Sequence, residues 1–261
     1  MTRPGPQRRH SDPPATSSAP GGTALSIPDL KAVCTTCSMR ELCMPFGLST
    51  EQLAQIDTLV QSRRRVRKGD TLYDTGDRLE GLYAVRVGSL KTAVLAEDGR
   101  EQVTGYHMLG DIVGLDGLAT DRHVSRAVAL EDTEVCVMPF DHLQTLAQRV
   151  PALQHNLQRL LSREISRDQS VMLLLGSMRA EERLAAFLLD LADRYRRRGY
   201  SSTHYVLRMT REEIGSYLGL KLETVSRLFS RFQQEGIVRV QGRDVTLLDP
   251  PALRQLCAAR D

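Results

Sequence analysis

Five cysteines carry most of the chemistry available to this 261-residue sequence: Cys34, Cys37, Cys43, Cys136 and Cys257. Three of them form a tight run, Cys34-x2-Cys37-x5-Cys43. In a reducing compartment, clustered cysteines read as metal ligands rather than as disulfides. A set of four thiolates suits a cubane iron–sulfur cluster or a tetrahedral zinc ion. The x2–x5 spacing matches neither the usual ferredoxin runs nor the paired C-x2-C knuckles of a zinc ribbon, so spacing alone leaves iron and zinc both open. Taken by itself, Cys136 in a β-rich run reads as a small buried hydrophobe. Cys257, in the C-terminal tail, reads as a free thiol that ligates nothing.

A second constellation lies near the C-terminus. Thr210-Arg211-Glu212-Glu213 fits a capping box, with Thr210 as N-cap and Glu213 three residues on. It predicts a short helix with Ile214 and Leu218 inward, closed by Gly219. A second helix is predicted from about Leu222, burying Val225, Leu228, Phe229 and Phe232. Glu223, Ser226, Arg227 and Ser230 then share its other face at i, i+3, i+4 and i+7. The runs 237–240 and 245–248 flank Gln241-Gly242-Arg243-Asp244 and predict a hairpin. The whole reads as a winged helix-turn-helix. An arginine fork can take guanine O6 and N7, and a glutamate can accept from cytosine N4. Arg211 and the wing's Arg243 are expected to meet phosphates.

These groups need elements to hold them. Residues 1–28 are rich in Pro, Ser, Gly and Arg and are expected to be a disordered tail. A cysteine segment (29–47) follows. Residues 49–62 read as a helix with Ser49 as N-cap and Leu53, Ile56, Leu59 and Val60 on one face. Over 66–140, glycine turns at Gly69, Gly76, Gly88, Gly99 and Gly110 separate short β-rich runs, and Tyr83, Val85 and Val87 alternate at strand spacing. Residues 141–175 read as helical. Pro151 suits a first helical position and Gly176 a C-cap, and the span 151–175 would be roughly 37 Å long. On it Leu157, Leu161, Glu164, Asp168, Val171 and Leu175 alternate in steps of four and three, the seam of a two-stranded coiled coil, with Ile165 and Met172 flanking it. In a two-fold pair each seam residue meets its own copy, so Asp168 sets carboxylate against carboxylate. A further helix is expected over 180–198. The fold class is therefore α+β. A β-rich domain (48–140), a sandwich or barrel by its frequent turns, leads through a dimerisation helix region (141–176) to a winged helix-turn-helix domain (177–252).

Hydrophobic residues make up 41% of the chain and charged residues 26%, at a net charge of +3. That is ordinary for a globular protein, so any nucleic-acid surface must be local. No run approaches the ~20 apolar residues of a membrane span, and the N-terminus has no apolar signal core. A cytoplasmic location is expected. The six histidines are scattered, and no P-loop, Ser/His/Asp signature or C-x3-C-x2-C run is present, so no enzyme is expected.

The residues quoted so far resemble one family over roughly 31–250. Ile214-Gly215-Ser216-Tyr217-Leu218-Gly219-Leu220 and Glu223-Thr224-Val225-Ser226-Arg227 resemble the recognition region of the CRP/FNR family. Lys68-Gly69-Asp70-Thr71-Leu72-Tyr73 and Gly81-Leu82-Tyr83-Ala84-Val85-Arg86-Val87-Gly88 resemble its β-roll. The cysteine run, continuing to Pro45-Phe46, and Cys136 within Val135-Cys136-Val137-Met138-Pro139-Phe140 resemble the oxygen-sensing FNR branch, the fumarate and nitrate reduction regulators.

The resemblance implies that Cys34, Cys37, Cys43 and Cys136 hold a [4Fe–4S] cluster that oxygen destroys, with Ser38 and Leu42 tuning its reactivity. It implies a homodimer, controlled at Asp168 and Ile165, that binds double-stranded DNA with TTGAT-like inverted repeats through Glu223, Thr224, Ser226 and Arg227. It also implies contact with RNA polymerase. Other members hold cyclic AMP with a Gly-Glu and an Arg-Ser pair. Here those places read Gly110-Asp111 and Val124-Ser125, with Arg126 two residues late, so no cyclic nucleotide is expected.

Overall fold

Helix α1 (Thr50–Leu59) opens the folded body, and Ser49 caps it in a capping box with Gln52. It ends at Leu59, three residues short of the expected end, because Val60 is already extended. The computed structural model describes Met1 and residues 34–258, apart from Met39, Gln61, Glu97 and Asp98. The expected disordered tail, residues 29–33 of the cysteine segment and Asp98 of one glycine turn lie outside the described residues.

Eight strands follow: β1 (Ser62–Val66), β2 (Thr71–Tyr73), β3 (Gly81–Val87), β4 (Ser89–Leu95), β5 (Glu101–Met108), β6 (Ile112–Val113), β7 (Arg126–Ala129) and β8 (Thr133–Pro139). They form two four-stranded antiparallel sheets, ordered β1-β8-β3-β6 and β2-β7-β4-β5. All five glycines read as turns have positive φ. Strand β3 does not alternate between core and solvent as its sequence pattern predicts. Leu82 and Ala84 bury in the core beneath the cysteine loop, Tyr83 and Val85 in the core between the sheets, and only Val87 is exposed. The strand is covered on both faces because the loop and helices lie over the outer one.

Helix α2 (Phe140–Arg149) and helix α3 (Pro151–Ser177) fill the span read as helical, with Pro151 at the first position of α3 as expected. Val150 leaves helical geometry, and Pro151, which lacks an N–H, starts the second. Gly176 stays inside α3, and Met178 is the C-cap. With 27 residues, α3 is about 40 Å long. Leu153, Leu157 and Leu160 pack under the cysteine loop, while Val171 and Leu174 pack on the C-terminal core. The outward face carries Ile165, Met172 and Leu173, 59%, 71% and 54% exposed, with Asp168 among them. The apolar seam read from the sequence is therefore rotated. Glu164 turns beside Arg167 (3.8 Å) and Val171 turns inward, because α3 must first cover its own chain.

The C-terminal part comprises α4 (Ala180–Arg197), β9 (His204–Val206), α5 (Arg211–Leu218), α6 (Leu222–Gln234), β10 (Val238–Gln241), β11 (Asp244–Leu247) and α7 (Pro250–Ala258). Its sheet runs β10-β11-β9. The β10–β11 hairpin pairs Gln241 with Asp244 across Gly242 and Arg243, one residue from the expected strand bounds. Among the described residues no helix is long and apolar enough to cross a membrane.

The turn between α5 and α6 needs a glycine at position 215. A Cβ there would stand 2.6 Å from the Leu220 carbonyl oxygen, a backbone atom that cannot step aside alone. We expect Gly215→Ala to destabilise the C-terminal domain by about 1–3 kcal/mol. Urea unfolding followed by α-helical circular dichroism checks this, and an unchanged midpoint would contradict the packing argument.

Candidate functional site: a cysteine pocket and a DNA-reading helix

The cysteine loop is a chain of tight turns. Cys37 N–H donates to Cys34 O (3.1 Å), Arg40 N–H to Cys37 O (3.4 Å), Cys43 N–H to Arg40 O (3.3 Å) and Phe46 N–H to Cys43 O (3.2 Å). Each bond spans three residues, and in such turns side chains at i and i+3 eclipse. Spacings of three and six residues thus set Cys34, Cys37 and Cys43 on one side. That signal was present in the sequence as multiples of three. Asp57 of α1 anchors the loop's entry. Its carboxylate accepts from the Cys34 and Thr35 N–H groups and from Thr35 Oγ1, the last at 2.7 Å. Asn156 of α3 anchors the exit, donating to the Met44 and Phe46 carbonyls at 3.0 and 2.8 Å.

Cys136 enters from β8, paired with Arg63 on one side and Ala84 on the other. It lines the same small apolar cavity, about 40 Å³, as Cys34, Cys37 and Cys43. No carboxylate or imidazole lines that cavity. Burial pushes the Cys34 thiol up to about 12, with the Asp57 carboxylate adding to it. Burial also raises Cys43, against a hydrogen bond from the Met44 backbone. It raises Cys136 too, against Arg86 and Arg63. The donor set, four soft sulfurs lining an apolar cavity, fits an iron–sulfur cluster or zinc. The sulfurs are gathered but not preformed: among the described residues, no three His, Cys, Asp or Glu side chains stand around a metal position. Cys257 lies apart, its thiol near the Glu182 carbonyl at 3.9 Å.

The helix-turn-helix forms as its sequence predicts. Thr210 Oγ1 accepts from Glu213 N–H (3.2 Å), Glu213 accepts from Thr210 N–H (2.7 Å), and Gly219 closes α5 in the left-handed region. Val225, Phe229 and Phe232 are buried and Leu228 half-buried, leaving Glu223 and Arg227 exposed, with Thr224 and Ser226 at the edge. Arg243 is exposed at the wing's tip. Arg211 differs from expectation. It is half-buried, with its guanidinium 3.3 Å from the Phe229 ring centre and Nη1 buried without a hydrogen-bond partner. Burial brings its pKa down to about 10.

The two polar positions at which other members of the resembled family hold a nucleotide are occupied from within. Asp111 accepts from Arg194 Nη2 (2.6 Å), Arg198 Nη2 (2.7 Å) and Met108 N–H (2.9 Å). Burial opposes its ionisation, but the two arginines outweigh it and hold the carboxyl far below its usual range. Ser125 Oγ donates to Asp116 at 2.8 Å. The same carboxylate accepts from Val124 and Ser125 N–H, both 3.0 Å, and lies 3.1 Å from His123 Nδ1. Arg126 faces Asp74 (3.5 Å) and Glu101 (4.0 Å).

Known proteins share this fold. Residues 63–150 match the cyclic nucleotide-binding domain, and residues 182–256 match the Crp-like helix-turn-helix domain. The transcriptional regulatory protein btr of Bordetella pertussis is 51% identical over 225 residues, covering 86% of this chain and 93% of its own. The fumarate and nitrate reduction regulatory protein of Escherichia coli is 44% identical over 223 residues, covering 85% and 89%. The structure of FixK2 from Bradyrhizobium japonicum superposes with a TM-score of 0.71 at 32% identity, covering 77% of this chain and 98% of that one. Its relatives are transcription regulators rather than enzymes, and with them this chain belongs to the CRP/FNR family, in the FNR branch, as a DNA-binding transcription regulator.

Proposed function

We propose that this regulator responds to oxygen and controls anaerobic gene expression. The observation that carries the reading is the gathering of Cys34, Cys37, Cys43 and Cys136, from a loop and a strand nearly a hundred residues apart, onto one apolar cavity. These four residues would hold a [4Fe–4S] cluster. When bound, that group supplies an oxygen-labile tie between the loop and β8. Asp57 and Asn156 hold the two ends of the loop against α1 and α3. The outward stripe of α3, Ile165 and Met172 around Asp168, forms the homodimer surface. Glu223, Thr224, Ser226 and Arg227 read bases in an inverted repeat with TTGAT-like half-sites, about 34 Å apart along the duplex. Arg243 meets phosphate. Arg211 does so only by leaving the Phe229 ring. The regulator acts in the cytoplasm through contact with RNA polymerase. It takes no cyclic nucleotide, since Asp111, Ser125 and Arg126 are committed to partners within the chain.

Three experiments test the reading. Cys→Ser at 34, 37, 43 or 136 should each abolish iron and sulfide in protein purified without air, whereas Cys257→Ser should retain about four irons per chain. Retention by Cys136→Ser would remove the fourth ligand, and zinc in place of iron would overturn the oxygen response. Arg227→Ala should relax base preference at the half-site guanine, while Arg243→Ala should weaken all sites alike. Binding to single-base site variants at fixed salt separates them, and uniform weakening by Arg227→Ala would overturn that assignment. Asp168→Ala should dimerise and bind DNA in air without any cluster. Sedimentation beside air-exposed wild type decides, and two monomers would place the control elsewhere.

A further inference from the structure

The turn joining β5 to β6 touches both ends of the molecule. Gly110, at φ +87°, packs directly on the cysteine loop. A Cβ there would stand 2.7 Å from Leu42 Cβ, and Leu42 adjoins Cys43. The next residue, Asp111, faces the other way. Its two oxygens are taken by Arg194 of α4 and by Arg198 one residue beyond it, at 2.6 and 2.7 Å. Both arginine side chains are more than nine-tenths buried. Both arginines also bind the same stretch of backbone: the same Arg194 Nη2 donates to Tyr106 O (2.6 Å), and Arg198 Nε donates to Leu109 O (2.6 Å). Arg167 of α3 also donates to Tyr106 O, at 2.8 Å. The turn and the end of β5 that leads into it thus meet the cysteine loop, the long helix and the first helix of the DNA-binding domain.

We propose that the Gly110-Asp111 turn couples the cysteine loop directly to the DNA-binding domain, with Asp111 as the positioning residue, by a route separate from the dimer seam. A shift of Leu42 cannot be absorbed at Gly110, where backbone meets side chain without space. It moves the turn, and with it the carboxylate on which Arg194 and Arg198 are seated. Breaking a buried charge pair on one side leaves the other charge uncompensated, so α4 keeps its seat only while Asp111 keeps its place. The outward stripe of α3 takes no part, because Ile165, Asp168 and Met172 face away from this junction.

The proposal rests on the cluster reading for the signal that moves Leu42. The clamp itself is tested independently, on the full chain purified without air, by comparing wild type, Asp111→Asn and Asp111→Glu. Iron content, sedimentation, DNA affinity and amide hydrogen exchange are measured on each. Asp111→Asn should keep wild-type iron and dimerisation, yet bind DNA about tenfold more weakly, a coupling of ordinary size. It should also lose exchange protection in α4, and Asp111→Glu should restore much of both. Air exposure of wild type should expose the same α4 amides. Unchanged DNA affinity and α4 protection in Asp111→Asn overturns the clamp. Loss of iron or of the dimer in Asp111→Asn makes the residue a general support of the fold and equally overturns it. Wild type without iron removes the cluster reading but leaves the comparison of variants as a test of the clamp.

Discussion

A helix has limited circumference, and α3 has to serve two bodies. One stripe, through Leu153, Leu157, Leu160, Val171 and Leu174, is spent on the chain's own cores. What remains for a second copy is the neighbouring stripe, Ile165 and Met172 around Asp168. Burying those apolar side chains in a pair of chains is worth together about 4–8 kcal/mol. Two carboxylates about 4 Å apart at an effective dielectric of 20 repel by up to about 4 kcal/mol. Association itself costs at least about 4 kcal/mol. On the proposed dimer surface the terms nearly cancel, so this stripe alone would not hold a dimer. Order imposed at the N-terminal half of α3, where Asn156 grips the cysteine loop, can decide the balance.

The cysteine pocket obeys a similar economy. Burial of Cys34, Cys43 and Cys136 favours neutral thiols, and the Asp57 carboxylate beside Cys34 favours them further. A metal must displace those protons, so binding and ordering of the loop are one event. Arg63 and Arg86 work the other way at Cys136, lowering the cost of a thiolate on the β8 side. Of the three raised thiols, only the strand thiol Cys136 has arginines beside it that favour the thiolate.

What the sequence revealed follows the range of the forces involved. The capping box of α5, the left-handed Gly219, the buried face of α6 and the two-residue wing turn are all local, and all were legible. The three-residue strand β9 carries no alternation to read, and α7, which opens on two prolines and holds Cys257, lies where the sequence read only a C-terminal tail. The rotation of the α3 seam, which sends Glu164 and Val171 inward, depends on surfaces contributed by β5 and α4 and is invisible along one helix. The pairing of β8 with β3, which delivers Cys136 to the loop cysteines, is likewise a matter of register between distant strands. The family resemblance assigned Cys136 where spacing left it an ordinary buried residue. The inward turn of Arg211 onto Phe229 had no local signal.

The β-roll shows how a fold can keep its shape while surrendering a chemistry. Asp116 accepts from two backbone N–H groups and from Ser125, with His123 beside it, as a bound anion would, so the chain supplies its own negative charge at that end of the roll. Tyr73 stacks on His123 with ring centres 3.7 Å apart and fills the adjoining space. Asp111 is turned outward and saturated by arginines. A ligand entering here would have to break each of these contacts before making its own. The acidic group that remains most exposed to change is therefore not in the roll's interior but at its edge, between the cysteine loop and α4. On the proposed reading, sensing belongs to the cysteine loop laid over the roll, and the roll is the body against which that loop works.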